Sequence, residues 1–440
     1  MSHVIFGWDP LWVSTILFVA TYAVIVTERI NRAIVAGLGA GLMIALGVLN
    51  QQQAIAGVDF NTLGLLTGMM VLVAITRRCG VFQYVAIWAA KKVQARPWGI
   101  LLMLSVVTAV FSAFLDNVTT VLLIAPITLL ITEELEVSPY PYLFSEILAS
   151  NIGGAATLIG DPPNIMIGSA VGLTFNDFLM NLAPIIPLIL LATLAVIYFI
   201  WGRGLVATDV ARSRIMQFRE REAITDKRLM KQSLAVLALV VVGFMFAHQL
   251  HLEPATIAML GAGVLLLITN LGRDAEEQTE DVHHSFGEVE WVTIFFFVGL
   301  FIVVSGVEHA GLLEMLGNKV ISVTDGDMAA TAMLILWVSA IASAVVDNIP
   351  FVATMIPLIE SMAPTFGGSE NIEPLWWSLA LGACLGGNGS LVGASANLIV
   401  AGFAERAGHR IHFVRFMLLA FPLMLMSVAI ASIYIYFRYL

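Results

Sequence analysis

Two stretches of the chain carry the same Asp-Asn pair inside apolar sequence. Residues 112–117 read Ser-Ala-Phe-Leu-Asp-Asn and residues 343–348 read Ser-Ala-Val-Val-Asp-Asn, an offset of 231 positions from Asp116 to Asp347. An ionisable group in hydrocarbon costs about 2.5 kcal/mol or more, so it is rarely there without a function. Matching polar positions in two halves of an apolar chain predict a secondary transporter whose site lies between two repeats.

Composition indicates an integral membrane protein. Apolar residues make up 59% of the 440 positions and charged residues 12%, whereas a soluble protein carries about 25% charged residues. The first apolar run has no basic leader and no small-residue cleavage site, so we expect it to remain as a span. The net charge of −10 argues against a nucleic-acid partner. Because no P-loop motif occurs, we expect a transporter without a cofactor rather than a nucleotide-hydrolysing enzyme.

The apolar runs predict an all-α polytopic protein of two inverted repeats, each with five spanning helices. The repeats are residues 1–202 and 232–440, joined by a cytoplasmic linker, 203–231. The predicted spans are 11–27, 33–50, 62–76, 141–170, 177–202, 232–248, 254–270, 291–307, 375–404 and 412–437. The further stretches 98–131 and 329–361 are predicted re-entrant helical hairpins with the Asp-Asn pair at each tip, where protein or a water-filled cavity accommodates irregular backbone.

The distribution of basic residues fixes the predicted orientation. With two re-entrant hairpins, 19 of the 21 Lys and Arg residues fall on one side, and only Lys319 and Arg438 fall on the other. The positive-inside rule makes the first side cytoplasmic and both termini external, in a multi-pass protein of the plasma (inner) membrane. This arrangement places no Lys or Arg near the predicted midplane of the lipid bilayer.

A second repeated motif predicts one interrupted helix in each half, within 141–170 and 375–404. Residues 153–164 and 386–397 share the pattern G-G-x-x-[ST]-L-x-G-x-x-x-N. Two prolines after Asp161 end a helix, because each removes a donor and clashes with the preceding turn. The freed backbone groups can bind ions or polar solutes. The residues assigned to the breaks are Gly153, Gly154, Gly160, Pro162, Pro163, Gly386, Gly387 and Gly393.

Candidate site residues come from the tips and the breaks. The predicted substrate- or ion-binding residues are Asp116, Asn117, Thr119, Thr120, Asp161, Asn164, Asp347, Asn348, Ser390, Ser395 and Asn397. Proton coupling is assigned to Asp116, Asp161, Asp347 and Glu146. The alternatives are a buried polar network that only fixes the fold, hydroxyls bonded to helix carbonyls, and a Glu146 that merely lies near the cytoplasmic interface. No metal site is predicted, and Cys79 and Cys384 are interpreted as packing residues.

The motif Leu-Asp-Asn-Val-Thr-Thr-Val-Leu-Leu-Ile-Ala-Pro at 115–126, with Gly-Asp-Pro-Pro-Asn at 160–164, resembles the arsenite-permease and NhaD-type family of the ion transporter superfamily. The mammalian P protein and the dicarboxylate transporters are more distant members. The resemblance implies inverted repeats that move substrate by alternating access, and a homodimer. In the dicarboxylate branch the tips carry Ser-Asn-Thr, so Asp116 and Asp347 argue against dicarboxylate transport.

An acidic site attracts protons and cations or tolerates a neutral polyol-like solute, and neighbouring carboxylates exchange protons readily. The leading hypothesis is therefore proton-coupled efflux of arsenite or antimonite, a small inorganic solute exchanged for a coupling ion. The alternatives are a Na⁺/H⁺ antiporter, a small organic anion symporter and, from another class, a passive channel. A cytoplasmic ATPase partner would dock on loops 203–231 and 271–290.

Overall fold

The computed structural model describes residue 4, residues 7–27 and residues 29–440, and that part of the chain is helical without strands. The first half contains α1 (Pro10–Val26), α2 (Arg32–Ala45), α3 (Gln51–Ala56), α4 (Phe60–Arg77), α5 (Val81–Lys92), α6 (Pro97–Leu115), α7 (Asn117–Glu134), α8 (Tyr140–Gly154), α9 (Pro162–Val171), α10 (Phe175–Asn181), α11 (Ile186–Ile197) and α12 (Asp209–Gln217). The second half contains α13 (Lys227–Met245), α14 (Ala247–Leu250), α15 (Pro254–Asn270), α16 (Ala275–Gly287), α17 (Trp291–His309), α18 (Leu312–Val323), α19 (Met328–Val345), α20 (Asn348–Met362), α21 (Glu373–Gly386), α22 (Ser395–Arg406) and α23 (Phe413–Tyr439).

Eight helices of the described residues are long and apolar enough to cross a membrane, and the bent pair that begins with α10 raises the number to nine. A helix of 18 residues rises about 27 Å, close to the thickness of the hydrocarbon layer. Helices α1, α2 and α15 are also apolar but shorter, at 17, 14 and 17 residues. The prediction of an all-helical, multi-pass membrane protein is confirmed. The number of crossings in each half stays a prediction.

One predicted span is not a continuous helix. Residues 177–202 form one apolar run, yet the chain bends by 52° between Phe175–Asn181 and Ile186–Gly202. Pro184 lies in the gap and Pro187 lies in the first turn of α11. Because proline has no N–H and clashes with the preceding turn, the helix cannot run through this segment. The sequence analysis did not predict this bend, and the crossing of the membrane by this segment stays a prediction.

Helices α6 and α8 lie side by side and run in the same direction. Near their beginnings, the Tyr142 hydroxyl donates to the Pro97 carbonyl at 3.1 Å. Near their ends, the Ser112 hydroxyl donates to the Ser150 carbonyl at 2.7 Å. The later part of α6 therefore packs on the later part of α8, as parallel helices require.

Helix α7 runs against α8. The beginning of α7 meets the late part of α8, where Asn117 Nδ2 lies 3.2 Å from Asn151 Oδ1. Further along α7, the Thr128 hydroxyl donates to Glu146, which lies earlier on α8. Since α6 is parallel and α7 antiparallel to the same helix, α6 and α7 form a helical hairpin that turns at Asp116.

The second half repeats part of this packing. The Ser343 hydroxyl of α19 donates to the Ala383 carbonyl of α21 at 2.7 Å, as Ser112 does to α8. A Cβ added at Gly386 would lie 2.5 Å from the Ala340 carbonyl oxygen, so α19 and α21 touch closely. Helix α19 ends at Val345, and the segment up to Asn348 turns the chain into α20.

Two close helix contacts join the halves, and they have the same form. A Cβ at Gly68 of α4 would lie 2.7 Å from the Ala258 carbonyl carbon of α15. A Cβ at Gly299 of α17 would lie 2.6 Å from the Ala36 carbonyl carbon of α2. Only glycine allows the backbones to approach this closely. The offset of 231 positions relates the two glycines, so each contact is the counterpart of the other.

The segment between the halves packs on the first half. It contains α12 and a short 3₁₀ turn, Glu220–Ala223. The Lys91 ammonium at the end of α5 donates to the Phe218 carbonyl at 2.8 Å and to Glu220 at 2.6 Å. The acidic loop after α15 forms α16, which is held by an ion pair between Asp281 and Arg78 at 2.5 Å. These contacts tie both charged segments to neighbouring helices.

Candidate functional site

The first tip, Asp116–Asn117, is a one-residue turn between two long helices. Asp116 has φ 92° and ψ 154°, a conformation used almost only by glycine that costs another residue about 1–3 kcal/mol. Its carboxylate accepts from the Thr119 backbone N–H at 2.8 Å and from the Thr119 hydroxyl at 2.6 Å. These bonds cap α7 and offset part of the strain. Asp116 is buried and has no cationic partner among the described residues.

Two buried oxygen atoms next to the first tip have no hydrogen-bond partner within the described chain. They are Asn117 Oδ1 and Thr120 Oγ1, which lie one turn apart near the beginning of α7. A buried polar group without a partner costs about 1–3 kcal/mol. The pair therefore leaves a place where a polar solute or a cation would gain bonds.

Each broken helix is held together by an asparagine. Asn164 Nδ2 donates to the Thr157 carbonyl at 2.9 Å and contacts two further carbonyls of the first break at 3.4 Å. Asn397 Nδ2 donates to the Gly387 carbonyl at 2.7 Å and to the Ser390 carbonyl at 2.9 Å. These predicted ligands thus use their donors to satisfy backbone carbonyls that the breaks would leave unpaired.

The hydroxyls of the breaks are also used within the protein. The Thr157 hydroxyl donates to the Ala113 carbonyl. The Ser390 hydroxyl, its counterpart, donates to the Ala344 carbonyl at 2.6 Å. These bonds tie each break to the helix before the tip of the same half.

The glycines of the breaks allow the close packing that these bonds need. A Cβ at Gly154 would lie 2.6 Å from the Gly160 carbonyl oxygen, and a Cβ at Gly393 would lie 2.7 Å from the Gly387 carbonyl oxygen. A Cβ at Gly153 would lie 2.1 Å from the Ala109 carbonyl oxygen. Pro162 and Pro163 occupy the first turn of α9, where a missing N–H is tolerated.

The first break meets the second tip in a group that we call the acid cluster: Asp161, Asn348, Cys384 and Asn164. Asn348 Nδ2 lies 3.3 and 3.4 Å from the two carboxylate oxygens of Asp161. The Cys384 thiol lies 3.5 Å from Asn164 Oδ1, and Cys384 is also a neighbour of the Asp161 carboxylate. Asp161 is fully buried, and within the described residues no cationic side chain pairs with it.

The second break meets the first tip in a group that we call the amide cluster: Asn117, Asn151, Asn388 and Asn397. Asn151 Nδ2 donates to Asn388 Oδ1 at 2.9 Å and to Asn397 Oδ1 at 3.0 Å, while its Oδ1 accepts from Asn117. Asn388 Nδ2 lies 3.5 Å from the Leu148 carbonyl. All four side chains are buried.

The second tip contains an ion pair that the sequence analysis did not predict. Arg32 Nη1 lies 2.7 Å from Asp347 Oδ2 and 2.7 Å from Ser395 Oγ. Ser395 Oγ also donates to Asp347 Oδ2 at 2.9 Å. The Arg32 guanidinium lies over the Phe296 ring, 4.9 Å from its centroid.

The expectation of no Lys or Arg near the predicted midplane did not allow for Arg32, which pairs with one of the tip carboxylates. Arg32 is the first residue of α2, and its long side chain carries the charge from the predicted loop into the protein. The ion pair borders a cavity of 390 Å³ that Asn31 and Glu290 also line. With one basic and two acidic side chains at its wall, this cavity is less acidic than the sequence suggested.

Glu146 lies apart from both tips. It is buried on α8, where Oε1 accepts from Thr128 of α7 and Oε2 has no partner within the described chain. Glu146 is therefore shielded from solvent by the protein, and its position relative to the cytoplasmic interface stays a prediction. Among the described residues, no group of three or more His, Cys, Asp and Glu side chains is placed to hold a metal ion.

Four residues of the site were missed: Arg32, Asn151, Cys384 and Asn388. The repeat itself carries a signal for two of them, because Asn151 and Cys384 lie two residues before the paired glycines at 153 and 386. Cys384 was interpreted as a packing residue on its type alone. No sequence pattern indicated a role for Arg32, because it lies in a predicted loop that is far along the chain from the second tip.

Comparisons with known proteins identify a family and a fold. The family model CitMHS, described as "Citrate transporter", matches residues 22–382. An uncharacterized transporter of Mycobacterium bovis is 42% identical over 431 residues, which cover 97% of this chain and 98% of that protein. The P protein of Homo sapiens is 33% identical over 504 residues, and the match covers 96% of this chain and 59% of the P protein.

Among solved structures, the YdaH transporter of Alcanivorax borkumensis matches with a TM-score of 0.58 and 13% sequence identity. The match covers 97% of this chain and 98% of that protein. At this identity the likeness concerns the fold alone.

Proposed function

The chain belongs to the CitMHS citrate transporter family, and from that premise we propose that it is a secondary transporter working by alternating access. The two halves would be inverted repeats, and the two tips would re-enter the membrane from opposite sides. The equivalent glycine contacts of α4 with α15 and of α17 with α2 support this symmetry. Two further contacts between the halves support the same symmetry: α9 packs on α20, and α22 packs on α7.

The observation that supports an ion-coupled mechanism is the complete burial of the Asp161 carboxylate without a cationic partner among the described residues. The charged form of this carboxylate is therefore costly. Desolvation of such an ion costs about 3 kcal/mol or more. A proton or a bound cation removes that cost. Asp161 lies where a half-helix of one half meets the tip of the other, so binding there is coupled to the relative position of the halves.

The solute that fits best is a small neutral hydroxide such as arsenite or antimonite, exported in exchange for protons. Arg32 neutralises Asp347, which lowers the attraction of this region for a cation. The unpartnered Asn117 Oδ1 and Thr120 Oγ1 can accept hydrogen bonds from a solute that carries hydroxyl groups.

The second candidate is proton-coupled transport of a carboxylate such as citrate. The description of the family favours it, and Arg32 is a side chain suited to bind a carboxylate. Against it, Arg32 is already paired with Asp347, and Glu290 adds a negative charge to the same cavity. The unpartnered oxygen atoms of Asn117 and Thr120 could also bind a cation, so Na⁺/H⁺ antiport is one of the outcomes that the test distinguishes.

The test is a comparison of three solutes in proteoliposomes that contain a pH-sensitive dye. An inward-directed proton gradient should drive arsenite movement, and a protonophore should abolish it. Citrate uptake without arsenite movement would establish the second candidate, and sodium-evoked proton flux alone would establish an Na⁺/H⁺ antiporter. Downhill movement that ignores the proton gradient would indicate a passive channel and overturn the proposal.

Variants of the carboxylates link the assay to the site. Asp161→Asn preserves the shape of the side chain and should abolish proton-driven transport, because an amide cannot release a proton. Asp116→Asn and Asp347→Asn should each abolish or uncouple transport with normal expression. Glu280→Gln, on the exposed surface of α16, is the matched control and should transport like the wild type. Full activity of all three site variants would show that these carboxylates are structural.

The orientation is a separate part of the proposal. The segment 203–231 and α16 would face the cytoplasm, and the termini would face outward, because 19 of the 21 basic residues then lie inside. A membrane-impermeant thiol reagent applied to right-side-out vesicles should label Ser2→Cys and should spare Ser213→Cys. The reverse labelling would invert the predicted topology.

A further inference from the structure

The acid cluster and the amide cluster occupy equivalent places in the two halves. Asn164 and Asn397 are equivalent in the repeated motif, and each holds its own break together. Cys384 and Asn151 both lie two residues before the paired glycines, and each reaches across to the asparagine of the other half. The two clusters therefore have the same arrangement in the fold but contain different side chains.

The chemistry of the two clusters differs at the decisive positions. Where the first break carries Asp161, the second carries Ala394. Where the second break carries Asn388, the first carries Ala155. The amide cluster therefore consists of four neutral side chains, whereas the acid cluster combines a carboxyl and a thiol with two amides.

The donors around Asp161 are few and weak. The Asn348 amide lies at 3.3 and 3.4 Å from its oxygens, longer than the usual 2.9 Å or so for an N–H···O bond. The other contact is the thiol of Cys384, a weak donor. The two tips contribute the carboxylates Asp116 and Asp347, of which Asp347 is paired with Arg32. Burial without a cationic partner makes the bare charge of Asp161 costly, and the weak donors Asn348 and Cys384 offset only a small part of that cost.

The amide cluster is fitted to a different ligand. Its internal bonds leave Asn117 Oδ1 without a partner, and Thr120 Oγ1 on the same helix is also unpartnered. Both atoms accept hydrogen bonds, and both residues are at least nine-tenths buried. A neutral solute with several hydroxyl groups would satisfy them without bringing a charge into the protein.

We infer that the two clusters have divided the work of transport: the amide cluster is the solute subsite, and the acid cluster is the proton subsite, with Cys384 as a positioning residue for Asp161. This inference rests on the proposed function, from which it takes the coupling of solute and proton. Binding of a hydroxyl-bearing solute is thereby assigned to Asn117, Asn151 and Asn388. Solute binding and proton exchange should then be separable by mutation.

The test uses equilibrium binding of arsenite to the purified full-length protein, together with the dependence of Tm on pH, which needs no solute. Asn151→Ala and Asn388→Ala should each weaken arsenite binding by about tenfold or more and keep the wild-type dependence of Tm on pH. Asp161→Asn should do the opposite: it should bind arsenite within about threefold of the wild type and lose the part of the pH dependence that Asp161 causes.

Two substitutions of Cys384 test its role as a positioning residue. Cys384→Ala should shift the pH dependence of Tm and leave arsenite binding unchanged, and Cys384→Ser, which keeps a donor, should restore most of the wild-type behaviour. Cys79→Ala removes the other buried cysteine, whose thiol donates to the Thr76 carbonyl outside both clusters, and should alter neither readout.

Two results would overturn the division. One is loss of arsenite binding in Asp161→Asn with retention in both amide variants, and the other is loss of the pH dependence in Asn151→Ala. Failure of the proposed function would look different: the wild-type protein would bind citrate rather than arsenite. The same variants would then be measured with citrate as the probe, and the same separation of the two readouts would decide the inference.

Discussion

Arg32 Nη1 lies 2.7 Å from Asp347 Oδ2, so the first half of the chain neutralises the carboxylate at the tip of the second. The pair is mostly shielded from water, with the two side chains 25% and 13% exposed, which limits screening of their attraction. Asp116, the counterpart of Asp347, caps its own helix and has no such partner among the described residues. The two tips are therefore electrostatically different in this conformation.

Arg32→Ala should destabilise the protein and reduce transport. The substitution leaves the Asp347 carboxylate with Ser395 as its remaining side-chain donor, and an uncompensated, largely buried charge costs about 3 kcal/mol. The expected result is a clearly lower Tm in detergent and a loss of transport of about tenfold or more in proteoliposomes.

A double-mutant cycle identifies the cause. Adding Asp347→Asn to Arg32→Ala removes the unpaired charge and should recover part of the lost Tm, with a coupling energy of about 1–3 kcal/mol. Arg219→Ala is the control, because Arg219 is highly exposed and its ion pair is with Glu222 of the same turn. An Arg32→Ala protein with the Tm and transport of the wild type would mean that the pair has no role.

Much of the fold could be predicted because hydrophobic length and proline act locally. The runs of apolar residues predict helices close to the observed α4, α15 and α17, and the prolines after Asp161 predict the break between α8 and α9. The bend between α10 and α11 was missed, although Pro184 and Pro187 carry the same physical signal. The run is apolar throughout, so composition alone predicts one span, and only the absence of two backbone donors indicates the bend.

Two signals in the sequence pointed to the site: polar residues repeated in both halves, and the Gly-Asp-Pro-Pro break that contains Asp161. Asp116, Asn117, Asp347 and Asn348 stand out because two copies in apolar sequence are conspicuous. Contacts between distant parts of the chain leave no such pattern in the sequence. Arg32 and Asp347, for example, are 315 positions apart. Such a contact depends on how helices cross, which periodicity does not encode.

Gly68→Ala and Gly299→Ala should both destabilise the contact between the halves. In each case the new Cβ would lie under 3 Å from backbone atoms of the facing helix, at Ala258 or at Ala36. Backbone cannot move aside as a side chain can, so overpacking should cost about 1–3 kcal/mol. Thermal unfolding of the purified protein in detergent measures the loss.

Gly41→Ala and Gly263→Ala provide matched controls on α2 and α15. A Cβ at either position would meet no atom within 4 Å. Since alanine is the better helix former by about 1 kcal/mol, these variants should keep or slightly raise the Tm. Equal losses in all four variants would show that the close contact between the halves is not the cause.

The anchoring of α16 should depend on pH through Asp281. Burial by itself would raise the pKa of Asp281, but hydrogen bonds from Asn270 and Arg78 and the charges of Arg78 and Arg273 lower it below its ordinary value. A carboxyl whose pKa is lowered on folding stabilises the protein above its unfolded pKa of about 3.9. That stability is lost as the pH falls through the lower, folded pKa.

Hydrogen exchange of the 275–287 amides is the measurement for this anchor. Protection should be constant from neutral pH down to about pH 4 and should fall below it. Asp281→Asn should expose the helix already at neutral pH and should show little further change on acidification. Glu280→Gln, one residue away on the exposed side, should behave like the wild type. Protection in Asp281→Asn equal to that of the wild type would remove Asp281 as the anchor.

Asn397→Ala should unravel the second break, because this one side chain satisfies two carbonyls of the segment between α21 and α22. Its Nδ2 donates to Gly387 at 2.7 Å and to Ser390 at 2.9 Å. Leaving buried carbonyls unpaired costs about 1–3 kcal/mol each, so the expected loss of stability is about 2–4 kcal/mol.

The comparison of Asn397→Asp with Asn397→Ala separates the donor from the shape of the side chain. Aspartate matches asparagine in size but its carboxylate cannot donate, so it should be at least as damaging at neutral pH, and protonation at low pH should restore part of the Tm. Asn371→Ala, at an exposed position before α21, should leave the Tm within about 0.5 kcal/mol of the wild-type stability. An Asn397→Asp protein as stable as the wild type would show that the two carbonyls find other partners, and that the break holds its shape without this asparagine.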